Sequence, residues 1–311
     1  MERQTILIKI TNLLHFWETG DQAGIANIFT KEAVFNSSAH GVVKSNDLIA
    51  KTLSVDFDGP EVSLRSSNYF IAQIPDTLKY VFTMYVYGIL KKGENDFLVF
   101  GATATGYLTQ VDGALLFSDF IFSVNWFEGN SKLLNKWIAP KGNRYWQAGD
   151  LGKNIVSEID APWHKYGQLI GLGTEEELLK QSYAKYAWAI DQADFVLLSS
   201  MFSSHACGNF TPMGDLSGKH QIISTMKDFR QPWPYMQHFG EGLRVKIDPD
   251  QAEARLIIGR IIPQQYETAI QKKQYGAYYD LTMKKINNDW VIYHFTYNPG
   301  WFSDIADIIQ D

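Results

Sequence analysis

The feature that most constrains this chain is an internal repeat. Shifted by 173 residues, His15–Leu53 aligns without a gap on Trp188–Met226. The pairs Asp21/Asp194, Phe29/Phe202, Ala33/Ala206, Asn36/Asn209, Gly41/Gly214, Ile49/Ile222 and Thr52/Thr225 are identical, seven in 39 positions. One inserted residue later the match resumes, with Pro75-Asp76 on Pro249-Asp250. Such a repeat predicts two copies of one supersecondary unit rather than one large core. The 311-residue length fits two domains. The expected division is a first domain over 1–140, a strap over 141–173 and a second domain over 174–311. The strap is rich in Gly but also holds Trp146, Trp163 and Tyr166, so it should pack on a domain rather than act as a free tether.

Both copies follow the same order of patterns. Ile6, Ile10, Leu13, Leu14 and Trp17 recur at helical spacing and predict a first helix. Its counterpart starts at Thr174 with Glu177 three residues on, a capping box, and runs through Leu178, Leu179, Ala187 and Ile190. Short second helices should start at Gly20-Asp21 and Ala193-Asp194 and end near Phe29 and Phe202. Third helices should follow Ser45-Asn46-Asp47 and Ser217-Gly218. The period then changes to two, in residues rich in β-branched and aromatic types. Copy one predicts strands Val62–Ile74, Leu78–Leu90, Phe97–Thr109, Gly113–Phe127 and Lys132–Ile138. Copy two predicts Gly242–Ile247, Ala252–Ile262, Tyr275–Ile286 and Trp290–Tyr297, one fewer. Asp248-Pro249-Asp250 and Asn287-Asn288-Asp289 supply turns. Helices followed by a meander of long strands predict an α+β fold, three helices on one face of a curved antiparallel sheet, with a concave pocket between.

Composition narrows the function classes. The net charge is −6, and the densest basic runs are only the pairs Lys91-Lys92 and Lys272-Lys273. That argues against nucleic acid, which needs clustered cations. The single cysteine, Cys207, excludes an internal disulfide and should be a buried structural thiol. The N-terminal residues lack the pattern of a signal peptide, and the longest apolar stretch, Ala114 to Phe127, is broken by Asp119 and Asn125. The expectation is a cytoplasmic protein with no membrane partner. No phosphate-binding glycine motif, H-E-x-x-H motif or cysteine pair occurs, so neither cofactor nor metal is expected. Aromatic residues make up 14% of the chain, enough to wall two pockets as well as two cores.

One constellation carries acid–base chemistry. Copy two has Tyr186 and Asp191 at the end of its first helix and His238-Phe239-Gly240 at the entry to its first long strand. Five helical residues turn the chain by about 140°, so Tyr186 and Asp191 converge only across the last helical turn. Facing one cavity, Asp191 would orient His238, His238 would take a proton, and Tyr186 would donate to a developing oxyanion. The plainer alternative is a solvated helix end, a core tyrosine and a strand-start histidine. Expected ligand contacts are Trp188, Phe202, Trp233, Tyr235, Tyr279 and His294.

The helix–helix–helix–meander order, Y-x-x-x-x-D-x-x-D over Tyr186, Asp191 and Asp194, and H-x-G at His238 and Gly240 resemble the SnoaL-like family of the nuclear transport factor 2-like superfamily. Phe202, Tyr279-Asp280 and Trp290 add to the likeness, which is nearest to the scytalone and bile acid dehydratase branch. The resemblance implies two tandem cone-shaped α+β barrels. It also implies catalytic roles for Tyr186, Asp191 and His238. The branch's strand aspartate and late arginine are not matched. The chain has Arg260-Ile261-Ile262 and Tyr297-Asn298-Pro299 near those places. Copy one has Leu13, Glu18 and Leu64 or Arg65 where copy two has the trio, with His15 and Glu18 expected as an exposed helix-face pair. Three functions follow. The chain is a cofactor-independent dehydratase or isomerase for a small apolar or cyclic hydroxy or keto compound, a small-molecule binder without chemistry, or a structural pair of cones. It is expected as a monomer with an internal pseudo-dimer or as a homodimer.

Overall fold

The computed structural model describes residues 2–93, 96–134, 136–138, 155–232, 236–250, 252–261, 274–286 and 289–302. The chain divides into two compact units, Met1–Leu172 and Gly173–Asp311.

The first unit runs α1 (Arg3–Thr19), α2 (Gln22–Ile28), β1 (Phe29–Ser37), β2 (Gly41–Lys44), α3 (Asn46–Leu53), β3 (Glu61–Gln73), β4 (Lys79–Lys92), β5 (Asp96–Val111) and β6 (Ala114–Gly129). A short α4 (Pro162–Lys165) and a two-residue β7 (Ile170–Gly171) follow. The second unit runs α5 (Glu175–Asp191), α6 (Phe195–Ser200), β8 (Phe202–Phe210), β9 (Asp215–Ser217), α7 (Lys219–Arg230), β10 (Phe239–Ile247), β11 (Glu253–Ile261), β12 (Gln274–Ile286) and β13 (Asp289–Phe302). The sheet orders are β2-β1-β6-β5-β4-β3-β7 and β9-β8-β13-β12-β11-β10. Apart from the added α4 and edge strand β7, the two units share element order and strand order among the described residues. Each sheet is antiparallel except for one parallel pair, β1 with β6 and β8 with β13.

The repeated identities have local causes. Asp21 and Asp194 cap the second helices, accepting from the Gly24 and Leu197 amides at 2.9 Å each. Gly41 and Gly214 turn between the short strands at φ of +75° and +81°, where a Cβ would be strained. The Thr174–Glu177 box forms at both bonds, 3.3 and 2.8 Å. Two expectations need correction. The second helices end at Ile28 and Ser200, so Phe29 and Phe202 begin strands absent from the sequence reading. Lys132–Ile138 is not a strand. Residues Ser131–Leu134 form a 3₁₀ turn, and the buried positions Leu134 and Trp137 are three apart, a helical rather than a strand spacing. Copy one therefore has the same four long strands as copy two.

Register shifts at Gly101/Ala102 and Tyr107/Leu108 in the first sheet, and at Glu241/Arg244 and Thr282/Met283 in the second, bend the strands into cones. The first cone is lined by apolar side chains. Leu13 and Trp17 of α1 and Phe82, Phe100, Phe117 and Phe120 of the sheet are all nearly inaccessible. Beside them, buried Asp56 accepts from Trp17 Nε1 at 2.8 Å and contacts His40 at 3.0 Å, while His40 meets Ser37 Oγ at 2.9 Å. The described part of the predicted strap belongs to this unit. Trp163 packs edge-on against Phe70 with ring centroids 4.9 Å apart, and β7 pairs with β3. No helix among the described residues is long and apolar enough to cross a membrane.

Glu18 does not form the exposed pair expected with His15. Its carboxylate accepts from the Leu64 backbone N–H, tying the end of α1 to the start of β3. Burial raises its pKa above the usual carboxylate value, against the amide bond and the nearby His15 and Arg65. Glu18→Ala leaves that part-buried amide without its acceptor and should destabilise the first unit by about 1–3 kcal/mol. Glu18→Gln keeps an acceptor and should cost less. Hydrogen exchange at the Leu64 amide, with urea unfolding, measures both. Equal protection in the alanine variant and the parent would show that the tie carries no stability.

Candidate functional site

The site lies in the second unit and starts from the end of α5. Asp191 is the last residue of that helix. Its carboxylate reaches His238 twice. Oδ2 accepts from the His238 backbone N–H at 2.8 Å, and Oδ1 meets His238 Nδ1 at 2.5 Å. A carboxylate only accepts, so His238 donates both bonds. That fixes the tautomer with the proton on Nδ1 and makes Nε2 the basic nitrogen. Both side chains are buried, with His238 at 4% and Asp191 at 7% exposure. Arg230, at the end of α7, closes the helix end by donating from Nε to the Ile190 carbonyl at 2.9 Å and from Nη2 to the Asp191 carbonyl at 2.8 Å. A cation there also suits the negative end of the helix dipole.

Tyr186 sits one and a half turns earlier on α5. Its ring meets the His238 imidazole edge-to-face at 6.4 Å and packs on Tyr279 at 6.0 Å and Phe295 at 5.8 Å. Burial holds the Tyr186 phenol well above its ordinary pKa of 10, so it stays protonated and able to donate. Burial is also the main influence on His238, lowering it below 6.5. Asp191 opposes that shift, and the charges of Arg260 and Arg230 reinforce it. The imidazole is therefore neutral near pH 7 and can accept a proton. The glycine of H-x-G has a packing cause. A Cβ at Gly240 would lie 2.3 Å from the Tyr183 ring.

Tyr186 and His238 line a cavity of about 320 Å³, with Asp191 held behind His238. Tyr279 and Tyr297 of the sheet, Phe210 and Met213 at the β8–β9 turn, and Met226 and Phe229 of α7 form much of the rest. Of the expected ligand contacts, Tyr279 lines it. Trp188, Phe202 and His294 do not. Trp188 is buried on α5, Phe202 packs on Phe295 with centroids 6.1 Å apart, and His294 is exposed. His294 alternates with the inward Phe295, so it points to the other sheet face. Trp233 and Tyr235 lie outside the described residues. Sequence reasoning missed Arg260, which also lines the cavity. The signal was the predicted β10–β11 hairpin, whose pairing sets which residues face inward. Among the described residues no group of three His, Cys, Asp or Glu is placed to hold a metal ion.

In the first unit the equivalent positions carry the clasp without the acid–base pair. Glu18 holds the Leu64 amide as Asp191 holds that of His238, so Leu64, rather than Arg65, takes the histidine's place.

No curated protein matches the chain. Solved structures similar to it include a candidate scytalone dehydratase from Novosphingobium aromaticivorans, with 15% identity, TM-score 0.37, and 41% of this chain and 86% of the other covered. A type 2 hexachlorocyclohexane dehydrochlorinase, LinA, gives 16% identity and TM-score 0.38 over 47% of this chain and 94% of its own. LinA-type3 from Novosphingobium barchaimii gives 15%, 0.37, 47% and 94%. Residues 174–296 match the SnoaL-like domain family. Over the residues matched, the second unit is similar to the SnoaL-like domain family, and the first unit repeats its order of helices and strands.

Proposed function

We propose that the second unit is a cofactor-independent lyase or isomerase for a small, largely apolar hydroxy or keto compound. The observation that carries this reading is the buried Asp191–His238 pair at the wall of an apolar cavity, with a protonated tyrosine beside it. His238 Nε2 removes a proton from carbon next to a carbonyl. Asp191 holds the ring and stabilises the imidazolium that forms. Tyr186 donates to the carbonyl oxygen as it gains charge. In an elimination, the electron pair of the broken C–H bond becomes the new C=C bond, the C–O bond breaks, and the departing hydroxide takes the imidazolium proton and leaves as water. In an isomerisation, the same proton returns to a different carbon. The apolar walls, Phe210, Met226 and Phe295 among them, suit a ring or chain of carbon atoms.

The test is a panel of cyclic β-hydroxy ketones, with conjugated enone formation followed by ultraviolet absorption and α-deuterium exchange by NMR. The parent chain should be active on at least one. His238→Gln and Asp191→Asn should each lower kcat by about 10²-fold or more, the usual worth of a positioned general base, without loss of the folded signal. Tyr186→Phe should lower it by a smaller factor. Full activity in the His238 variant, or no turnover and no exchange across the panel, would sink the proposal.

The pH dependence follows from the lowered His238 value. The active base is neutral, so kcat/KM should be flat above pH 6.5 and fall on an acid limb whose midpoint lies below the ordinary imidazole value of 6.5. A midpoint above that value contradicts the assignment. Stability follows the same sign. The folded state binds this proton less readily than the unfolded chain, so the contribution is present above 6.5 and is lost as pH falls through 6.5 toward the folded value. Between about pH 7 and about pH 5, the melting temperature of the parent should fall more than that of His238→Gln.

A further inference from the structure

Arg260 brings to the cavity a charge that the acid–base scheme leaves unused. It is the penultimate residue of β11. It stands opposite Gly240 on β10 and opposite Ala277 on β12, and Ala277 faces Pro299 on β13. Paired residues on antiparallel strands project to the same face. The Cβ direction at Gly240 runs into the Tyr183 ring of α5, so this row faces the interior of the cone. Glycine and alanine on either side leave width for the long arginine side chain between them. The guanidinium reaches the cavity wall near Tyr279 and Tyr297.

Asp191 acts on this charge only through space, and the Tyr279 side chain hydrogen-bonds to it. Among the described residues no carboxylate forms an ion pair with it, and its Nε is buried with no hydrogen-bond partner. Burial raises the nearby Tyr279 and Tyr183 phenols above their ordinary value and keeps them neutral, and both oxygens of Asp191 are engaged by His238. A guanidinium does not shed its proton, so burial without an anion costs folding free energy. In a site otherwise walled by Ile190, Phe210, Met226 and Phe229, one unneutralised fork of N–H donors selects for a planar anion, to which arginine donates two parallel bonds.

We propose that the ligand of this cavity carries a carboxylate seated on Arg260, and that the substrate is an apolar hydroxy or keto acid. The inference rests on the cavity being the ligand site assigned above. Arg260 sets specificity in it, while His238 and Asp191 do the chemistry.

Calorimetry on the full chain with 2-naphthoate and its neutral counterpart 2-naphthamide tests this. The two share one apolar body, so any preference reports the charge. The parent should bind naphthoate at least tenfold more tightly, and added salt should weaken naphthoate alone. Arg260→Gln should erase the preference, and Arg260→Lys should keep part of it. Equal affinities on the parent, no naphthoate binding, or a preference that survives in Arg260→Gln would each overturn the proposal. Should Arg260→Gln fail to fold, as read from its melting curve, the parent comparison and Arg260→Lys decide the matter. A chain that prefers the acid yet turns over no hydroxy ketone overturns the catalytic reading alone. A chain that is active but indifferent to the carboxylate overturns this one alone.

Discussion

The arrangement of each unit depends on one contact, a carboxylate at the end of the first helix that accepts a backbone N–H at the start of the sheet. Asp191 takes the His238 amide in the second unit, and Glu18 takes the Leu64 amide in the first. A part-buried amide at a strand entry needs an acceptor, and the preceding helix supplies it across 47 residues in one unit and 46 in the other. The contact sets where the helix crosses the mouth of the cone. The second oxygen of Asp191 is then already beside residue 238, and a histidine there is oriented by a bond the fold was making anyway. The acid–base pair is in this sense an addition to a structural clasp rather than a separate device.

What each unit does with its interior follows from the side chains on the same scaffold. In the first, Leu13 and Leu64 occupy the positions of the phenol and imidazole, and stacked phenylalanines such as Phe35 and Phe120 join the buried apolar cluster. In the second, Tyr186, His238, Tyr279 and Arg260 share a wall with apolar residues around an open volume. Burial then acts on each polar group in its own direction. It keeps the phenols protonated, favours the neutral imidazole, and leaves the guanidinium charged because arginine cannot give up its proton. A donor, a base and a cation thus share one low-dielectric space, the combination on which the proposals above rest.

Much of the scaffold was legible in the sequence because short-range physics writes it there. The Thr174–Glu177 capping box, found in the second copy alone, and the Asp21/Asp194 caps and left-handed Gly41/Gly214, which read the same in both copies, are local signals. The short strands β1 and β8 were not legible. Their stability comes from pairing with β6 and β13, far away along the chain, and their composition is mixed. Lys132–Ile138 misled in the other direction, since a run with apolar residues suits a 3₁₀ turn as well as a strand until burial shows a three-residue spacing.

The sequence by itself determined the repeat, the α+β order and the residue types of the acid–base trio. Periodicity, caps and turns all act within a few residues of one another, so a linear string records them. Only the tertiary structure decided which side chains meet. The helical spacing left Tyr186 and Asp191 about 140° apart, and it took the chain's return at residue 238 to bring a shared partner to both. Arg260 shows the same limit in the sheet. Pairing counted from the turn, with Ile247 opposite Ala254, would put Ile261 opposite Gly240. The bulge between Glu241 and Arg244 shifts the register by one and puts Arg260 there instead. Arg260 itself keeps the face of Ile258 and Leu256 on the regular strand β11, so the bulge decides that its neighbour on β10 is a glycine, which leaves the side chain room.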